Sequence, residues 1–331
     1  MVKGAKKDII FFEAFDEEER LLKKLCPSHI NAEFTAQTIQ ESKIQKPSCS
    51  LISIRTQSRI PLDWSQHLDG ILTRSTGFEH VLDYKKKTQS SLALGYLPSY
   101  CARAVAEQAF LMILGLLRKV KKQQENFLSF CRDGLTGREC QDKKILVVGV
   151  GNIGAEIVDI ARGFHMKVAG VDIDRKLPSL EYTDLVSGLA WADIVVCACS
   201  FTPETKGMLG FEALRRVKTG TLFVNIARGE ISPLKDLQRL LDENILGGLG
   251  LDVYEDEDVV AHALRSPKKD FSGETTAIVV DLNKRNNVLL TPHNGFNTEE
   301  ALARKAQQTI ESVVSFLAEK RFSCVVPEKE E

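Results

Sequence analysis

Residues 144–172 read KILVVGVGNIGAEIVDIARGFHMKVAGVD. The stretch opens on an apolar, β-branched run, Ile145 to Val148, which predicts a strand buried on both faces. Gly149, Gly151 and Gly154 follow at GxGxxG spacing. Ala155 to Phe164 continue at helical period, and Lys167 to Val171 form a second short strand ending at Asp172. A lone GxGxxG can be an ordinary glycine-rich turn, but strand, turn, helix and strand in this order give the motif its meaning. Gly149 permits the tight turn, Gly151 (with Asn152 and Ile153 behind it) lets a pyrophosphate approach the backbone, and Gly154 lets helix and sheet pack closely. The helix then aims unpaired N–H groups and the positive end of its dipole at the phosphates. Asp172 stands eighteen positions after Gly154, near the offset of about 20 expected for an acid that takes ribose hydroxyls. The stretch therefore predicts a dinucleotide site. Its carboxylate favours NAD, because it would repel a 2′-phosphate, a bias that Arg175 nearby weakens.

At 331 residues the chain has room for two domains of ordinary size. Acids and bases nearly cancel to a net charge of −1, which gives no electrostatic reason to expect nucleic acid or an anionic membrane as a partner. The basic start, MVKGAKKDII, lacks the apolar core and cleavage site of a signal peptide. The longest apolar stretch, Ala109 to Leu117, is about half of what a membrane span needs. Eight cysteines show no zinc spacing, so no metal site is expected. Cys197 and Cys199 fall in ADIVVCACS, read as one buried strand with both thiols on one face; core packing in a reducing cytoplasm is the expectation.

Before the glycine turn, strands are predicted at Asp8 to Ala14, Ser50 to Ile54, Gly70 to Arg74 and Ser91 to Gly95. They alternate with helical segments, the first capped by Asp16, so this part reads as a small α/β domain with a parallel sheet. The stretch from Arg74 to His80 has no evident structural task. Ala102 to Lys121 reads as one long helix, apolar nearly all round, suited to a domain junction or a dimer seam. After the glycine turn, strands recur at Asp193 to Ala198, Thr221 to Asn225, Gly248 to Asp252 and Asn287 to Leu290, which makes this domain doubly wound. Ligands in such sheets bind beyond the carboxyl ends of the strands. Three of those ends carry reactive residues: Arg228 in NIARG, Glu257 in DVYEDE and His293 in TPHNGF. Each alone reads as a surface charge, part of a solvated acidic run, or a turn residue. Together, behind a nucleotide motif, they predict one cleft.

These residues resemble the D-isomer-specific 2-hydroxyacid dehydrogenase family. The resemblance covers nearly the whole chain through VGVGNIG, VNIARGE, LGLDVYEDE and LTPHNGFNTEEA, with RSTGFEHV and LPSYCARAVAEQA upstream. It implies two doubly wound parallel-sheet domains, with a Rossmann dinucleotide-binding domain (102–294) inserted into a flavodoxin-like substrate domain (1–101 and 295–331). The active site would lie in the cleft between them. It implies NADH as hydride donor to a 2-oxo acid, and a homodimer seamed through the 102–121 region. At this length no separate C-terminal regulatory domain is expected. Cys199, Pro203, Thr205, Ile226, Ala227 and Asp252 would join the glycine turn in holding the cofactor, Asp252 facing the nicotinamide.

The roles implied for the remaining residues agree with their chemistry. His293 would be the general acid, because an imidazole titrates near neutral pH. Glu257 would hold the ring and favour its charged form. Arg228 would orient the substrate carboxylate or carbonyl. Backbone N–H groups at Thr76 and Gly77 resemble the family's carboxylate-binding loop. Tyr100 and Phe296 resemble the D-lactate dehydrogenase branch and would wall a pocket with room for a methyl-sized substituent, as in pyruvate. Two departures stand out. Asp258 replaces the usual proline after the catalytic glutamate, and the interval to His293 is long. That interval, AHALRSPKKDFSGETTAIVVDLNKRNN, resembles the longer loop of the lactate-type branch. A register shift in EDEDVV would make Glu255 the histidine's partner, but the interval from Arg228 to Asp252 favours Glu257. The family also includes transcriptional corepressors that keep the same three residues, so a nucleotide-sensing binding protein is the alternative.

Overall fold

The computed structural model describes residues 7–266 and 271–327. The segments MVKGAK and PKKD, parts of the basic start and of the long interval, lie outside the described residues. The chain forms two compact units, one running up to Cys101 and resuming at Asn297, the other spanning Ala102–Phe296. The return falls two residues later than the boundary drawn from the sequence.

The first unit carries β1 (Ile9–Phe11), β2 (Ala32–Phe34), β3 (Leu51–Ile54), β4 (Gly70–Thr73) and β5 (Ala93–Gly95). All pair in parallel in the order β2-β1-β3-β4-β5, which is the flavodoxin-like order. The apolar runs of β1, β3 and β4 are buried throughout, as strands covered on both faces must be. The helix Asp16–Leu25 begins differently from the reading. Phe15 holds the cap position without a side-chain bond, and Asp16 is the first helical residue. The acids Asp16 to Glu19 still face the positive end of the helix, with Lys23 and Lys24 at the other.

The closing helix, Glu299–Glu319, belongs to this unit. Its Phe316 ring lies so close to Gly70 that a Cβ there would sit 2.4 Å from it. The helix also completes a buried ionic cluster. Arg74 Nε and Lys305 Nζ each lie 2.9 Å from Glu18 Oε1. Arg74 donates further to Ser53 Oγ and to the Phe12 carbonyl. Arg74, fully buried, thus has the structural task that the sequence did not reveal. Burial pushes the Lys305 ammonium down to about 7; Glu18 opposes that shift, and Arg55 and Arg74 reinforce it. Burial alone would raise the Glu18 carboxyl, but the surrounding cations prevail and hold it below the usual carboxylate range.

The second unit carries β6 (Lys144–Val148), β7 (Lys167–Val171), β8 (Glu181–Tyr182), β9 (Ile194–Cys197), β10 (Thr221–Asn225), β11 (Leu246–Leu251) and β12 (Val288–Leu290). The sheet is parallel, in the order β12-β11-β10-β9-β6-β7-β8. Strand order reverses between β6 and β9, the crevice where such sheets take dinucleotides. The expected long helix is broken. Ala102–Leu117 ends before Lys119, which adopts the left-handed conformation at φ 54°, and Val120–Asn126 starts a new helix. Ala102–Leu117 packs on the helix Asn152–Gly163 and on β10, β11 and β12, so most of its apolar girth is covered within the unit. The interval read as a long loop instead contains two helices, Glu257–Arg265 and Glu274–Lys284. Their short stripes, Val260 and then Thr276, Val279 and Leu282, are buried. No helix among the described residues is long and apolar enough to cross a membrane.

Candidate active site

The glycine turn follows from backbone geometry. Gly149 sits at φ 93°, and a Cβ there would lie 2.3 Å from the Cys199 nitrogen, so the loop after β9 packs directly on the turn. A Cβ at Gly154 would lie 2.0 Å from the Gly149 carbonyl oxygen. At Gly151 the same atom meets nothing within 4 Å. Two glycines are thus needed for close packing, while the third opens a space beside the start of the helix Asn152–Gly163, with Asn152 and Ile153 in its first turn. That space suits a pyrophosphate against helix N–H groups. Asp172 stands just beyond β7; its Oδ2 accepts from Val150 N and its Oδ1 from Asp174 N at 2.9 Å. A carboxylate has about four lone-pair sites, so both oxygens keep capacity for ribose hydroxyls. Arg175 lies over the Tyr182 ring, 5.8 Å from its centroid. Thr205 closes the loop after β9: its Oγ1 accepts from Thr202 N at 2.8 Å and donates to the Ser200 carbonyl at 2.9 Å, with Pro203 exposed between. The residues present fit a bound dinucleotide.

A second cluster gathers beyond the carboxyl ends of β10, β11 and β12. Asn225, fully buried at the end of β10, shapes the next turn. Its Oδ1 accepts from Ala227 N, and its Nδ2 donates to the Arg228 carbonyl at 2.9 Å and to Ser232 Oγ at 2.7 Å. Ile226 and Ala227 are buried, and half-buried Arg228 donates to the Ala227 carbonyl. Next to it, a Cβ on Gly229 would fall 1.9 Å from the Tyr254 carbonyl carbon, so the Arg228 turn lies against the segment leading to Glu257. The Tyr254 hydroxyl donates to the Thr291 carbonyl at 2.7 Å, tying in the third strand end. Glu257 opens its helix, and its Oε1 lies 2.8 Å from His293 Nδ1. Glu255 is engaged elsewhere: its Oε2 accepts from Leu234 N at 2.7 Å. His293 itself sits at φ 51°, a costly conformation for a residue with a side chain.

Asp252 braces that conformation, a role beside the cofactor-facing one that the resemblance implies for it. The residue is 2% exposed, and its oxygens accept from Thr291 Oγ1, Asn294 N and Gly295 N. Both oxygens are thus turned onto the His293 turn. Asp252 does its work through partners distant in sequence and Asn225 through its own turn; the available signal was a polar residue at the end of a wholly apolar strand. Phe296 meets the His293 ring edge-on, centroids 6.2 Å apart. The other residues expected at the site belong to the first unit. Thr76 Oγ1 donates to the Leu97 carbonyl, and among the described residues the Thr76 and Gly77 amides donate no hydrogen bond within the chain. Tyr100 is 4% exposed, with the Lys305 ammonium 5.7 Å from its ring centroid. It packs within its own unit, beside Lys305. No three His, Cys, Asp or Glu side chains among the described residues converge on a metal site.

The family model for the NAD-binding domain of D-isomer-specific 2-hydroxyacid dehydrogenases matches residues 110–295. The chain belongs to that family. It is 31% identical to D-lactate dehydrogenase kk1H of Curvularia clavata over 73% of this chain and 70% of that one. It is 30% identical to D-lactate dehydrogenase of Escherichia coli strain K12 over 73% and 74%. The crystal structure of D-lactate dehydrogenase from Aquifex aeolicus, complexed with NAD and lactic acid, superposes with a TM-score of 0.81. It is 27% identical and covers 96% of this chain and 99% of that one. Membership makes the matched stretch an NAD-binding domain and the protein an NAD-dependent oxidoreductase of 2-oxo and 2-hydroxy acids.

Proposed function

We propose that this dehydrogenase reduces a small 2-oxo acid, pyruvate or a near homologue, to the D-2-hydroxy acid and also runs the reverse oxidation. The observation that carries the reading is the Glu257–His293 hydrogen bond on a turn clamped by Asp252. With Nδ1 directed at the carboxylate, His293 keeps Nε2 to give a proton to a carbonyl oxygen in reduction and to take it back in oxidation. Bound NAD supplies or accepts the hydride. Arg228 offers a planar cationic fork to the substrate carboxylate or carbonyl. The Thr76 and Gly77 amides, which donate no hydrogen bond within the chain among the described residues, are proposed as donors to the carboxylate. Phe296, edge-on to the imidazole, limits the substituent beside the reacting carbon. The lactic acid bound by the Aquifex aeolicus enzyme is of matching size.

The proposal extends to assembly and setting. Phe127, Leu128 and Phe130 are 67%, 95% and 73% exposed, and Leu111 is 60% exposed. So many large apolar side chains in water beside the 102–121 region support a homodimer seam. Eight free thiols support a reducing, cytoplasmic setting.

The test is NADH consumption with a panel of 2-oxo acids, for the parent and for Phe296→Ala. Pyruvate and its near homologues should lead for the parent, separated by modest factors, because one methylene in an apolar pocket is worth about 1–3 kcal/mol. The variant should shift kcat/KM toward phenylpyruvate; an unchanged ranking would remove Phe296 from the pocket. NADH binding without turnover of any 2-oxo acid would favour the nucleotide-sensing binding protein.

A further inference from the structure

Cys197 and Cys199 stand at the cofactor turn with their sulfurs 3.9 Å apart. Cys197 ends β9 and is fully buried, while Cys199 lies just beyond the strand and is half-buried. No other cysteine pair among the described residues is in such contact. We propose that this pair is a modification site for hydroperoxides, that its oxidation to a disulfide disables the dinucleotide turn, and that bound NAD shields it.

Each sulfur has a distinct part. The Cys199 thiol is pulled below the usual thiol range, chiefly by the hydrogen bond from Cys197; burial and the Asp172 charge oppose this. The thiolate is the nucleophile toward peroxide. Cys199 sulfur attacks one peroxide oxygen, the O–O bond breaks, and hydroxide leaves to become water, giving a sulfenic acid. The neighbouring Cys197 sulfur then attacks the Cys199 sulfur, loses its proton and expels the sulfenic oxygen as a second water. Two thiols lose two electrons, and one peroxide becomes two waters.

Closure cannot be absorbed symmetrically. A disulfide is about 2.05 Å long, so the sulfurs must approach by nearly 2 Å. Cys197 is held in the sheet by its neighbours: it pairs in register with Val148 and Asn225, and its carbonyl accepts from Ile226 N. Cys199 must therefore move. Its backbone is what a Cβ at Gly149 would strike, so its displacement deforms the turn that receives the pyrophosphate.

The full chain, carrying Cys131→Ser to remove the exposed thiol, is treated with hydrogen peroxide with and without saturating NAD. Peptide mass reads the link as a loss of two hydrogens within the peptide bearing both cysteines, and fluorescence of bound NADH reads affinity. We expect the link to form, NADH affinity to fall at least tenfold, NAD to slow both changes, and dithiothreitol to reverse them. Cys197→Ala should instead carry Cys199 on to a sulfinic acid that dithiothreitol does not reverse; if that variant fails to fold, the parent's mass and affinity readings decide alone. Absence of the link at doses that oxidise Cys131 in the parent, or a link with unchanged NADH affinity, would overturn the proposal. The reduced protein's own NADH affinity is a separate reading and tests only the cofactor assignment.

Discussion

At the scale of single residues, the candidate reactive groups could be named because each follows a buried apolar strand. Arg228, Glu257 and His293 were found from chain order and chemical type, without knowledge of their partners. The residues that hold them were not legible in that way. Asp252 gains its role from three donors some forty positions away, and Asn225 from a turn it bonds internally. A buried carboxylate accepting three hydrogen bonds is expected to be hard to replace. Hydrogen bonds to a charged group contribute about 1.5–3 kcal/mol each, and an amide turns one donor against another donor. Asp252→Asn should therefore lower kcat tenfold or more with little change in NADH affinity, checked by steady-state kinetics beside an NADH titration. A matching loss of NADH affinity would instead return Asp252 to the cofactor. Asp172 makes the opposite forecast. Asp172→Ala should erode the preference for NADH over NADPH, and equal kcat/KM for both cofactors in the parent would refute its role.

At the scale of elements, the strands with an apolar run were readable: β7 and β10 fall where they were read, and the ends of the others lie within three positions of the reading. The edge strands Ala32–Phe34 and Glu181–Tyr182 went unread, because two or three half-exposed residues carry no period. The two helices from Glu257 onward went unread because their apolar stripes are short and a stretch with serine, proline and glycine separates them in sequence. The closing helix carries a testable consequence through Lys305. Its folded-state pKa, about 7, lies below the ordinary lysine value of 10.5, so between those limits the unfolded chain binds the extra proton. Lys305 therefore makes stability rise with pH from about 7 toward 10.5, and its penalty is fully present below that window. Lys305→Met leaves Glu18 paired with Arg74, and should lose this rise. Melting temperatures of both proteins across that range check it: the two curves should converge as pH rises. Parallel curves would mean that Lys305 keeps its ordinary affinity for a proton.

At the scale of the whole molecule, two parallel sheets and the outline of the insertion were legible, since the glycine turn and the repeated strands mark the second unit. The packing moves the seam proposed for a homodimer. A helix apolar all round looked like a seam, yet most of its girth is covered by its own unit, and apart from Leu111 the exposed apolar residues of the proposed seam lie after it. Leu128→Glu should accordingly weaken self-association, read as a shift from dimer toward monomer by sedimentation at micromolar concentration; a parent that is already monomeric would end the proposal. The chemistry itself is read from the product. Purified protein is mixed with NADH and pyruvate, and the lactate formed is resolved by configuration, alongside His293→Ala. The D-isomer should form in step with NADH loss, and the variant should be slower by roughly 10²–10⁴-fold. L-lactate, or a variant within a few-fold of the parent, would contradict the assignment of the reaction to His293.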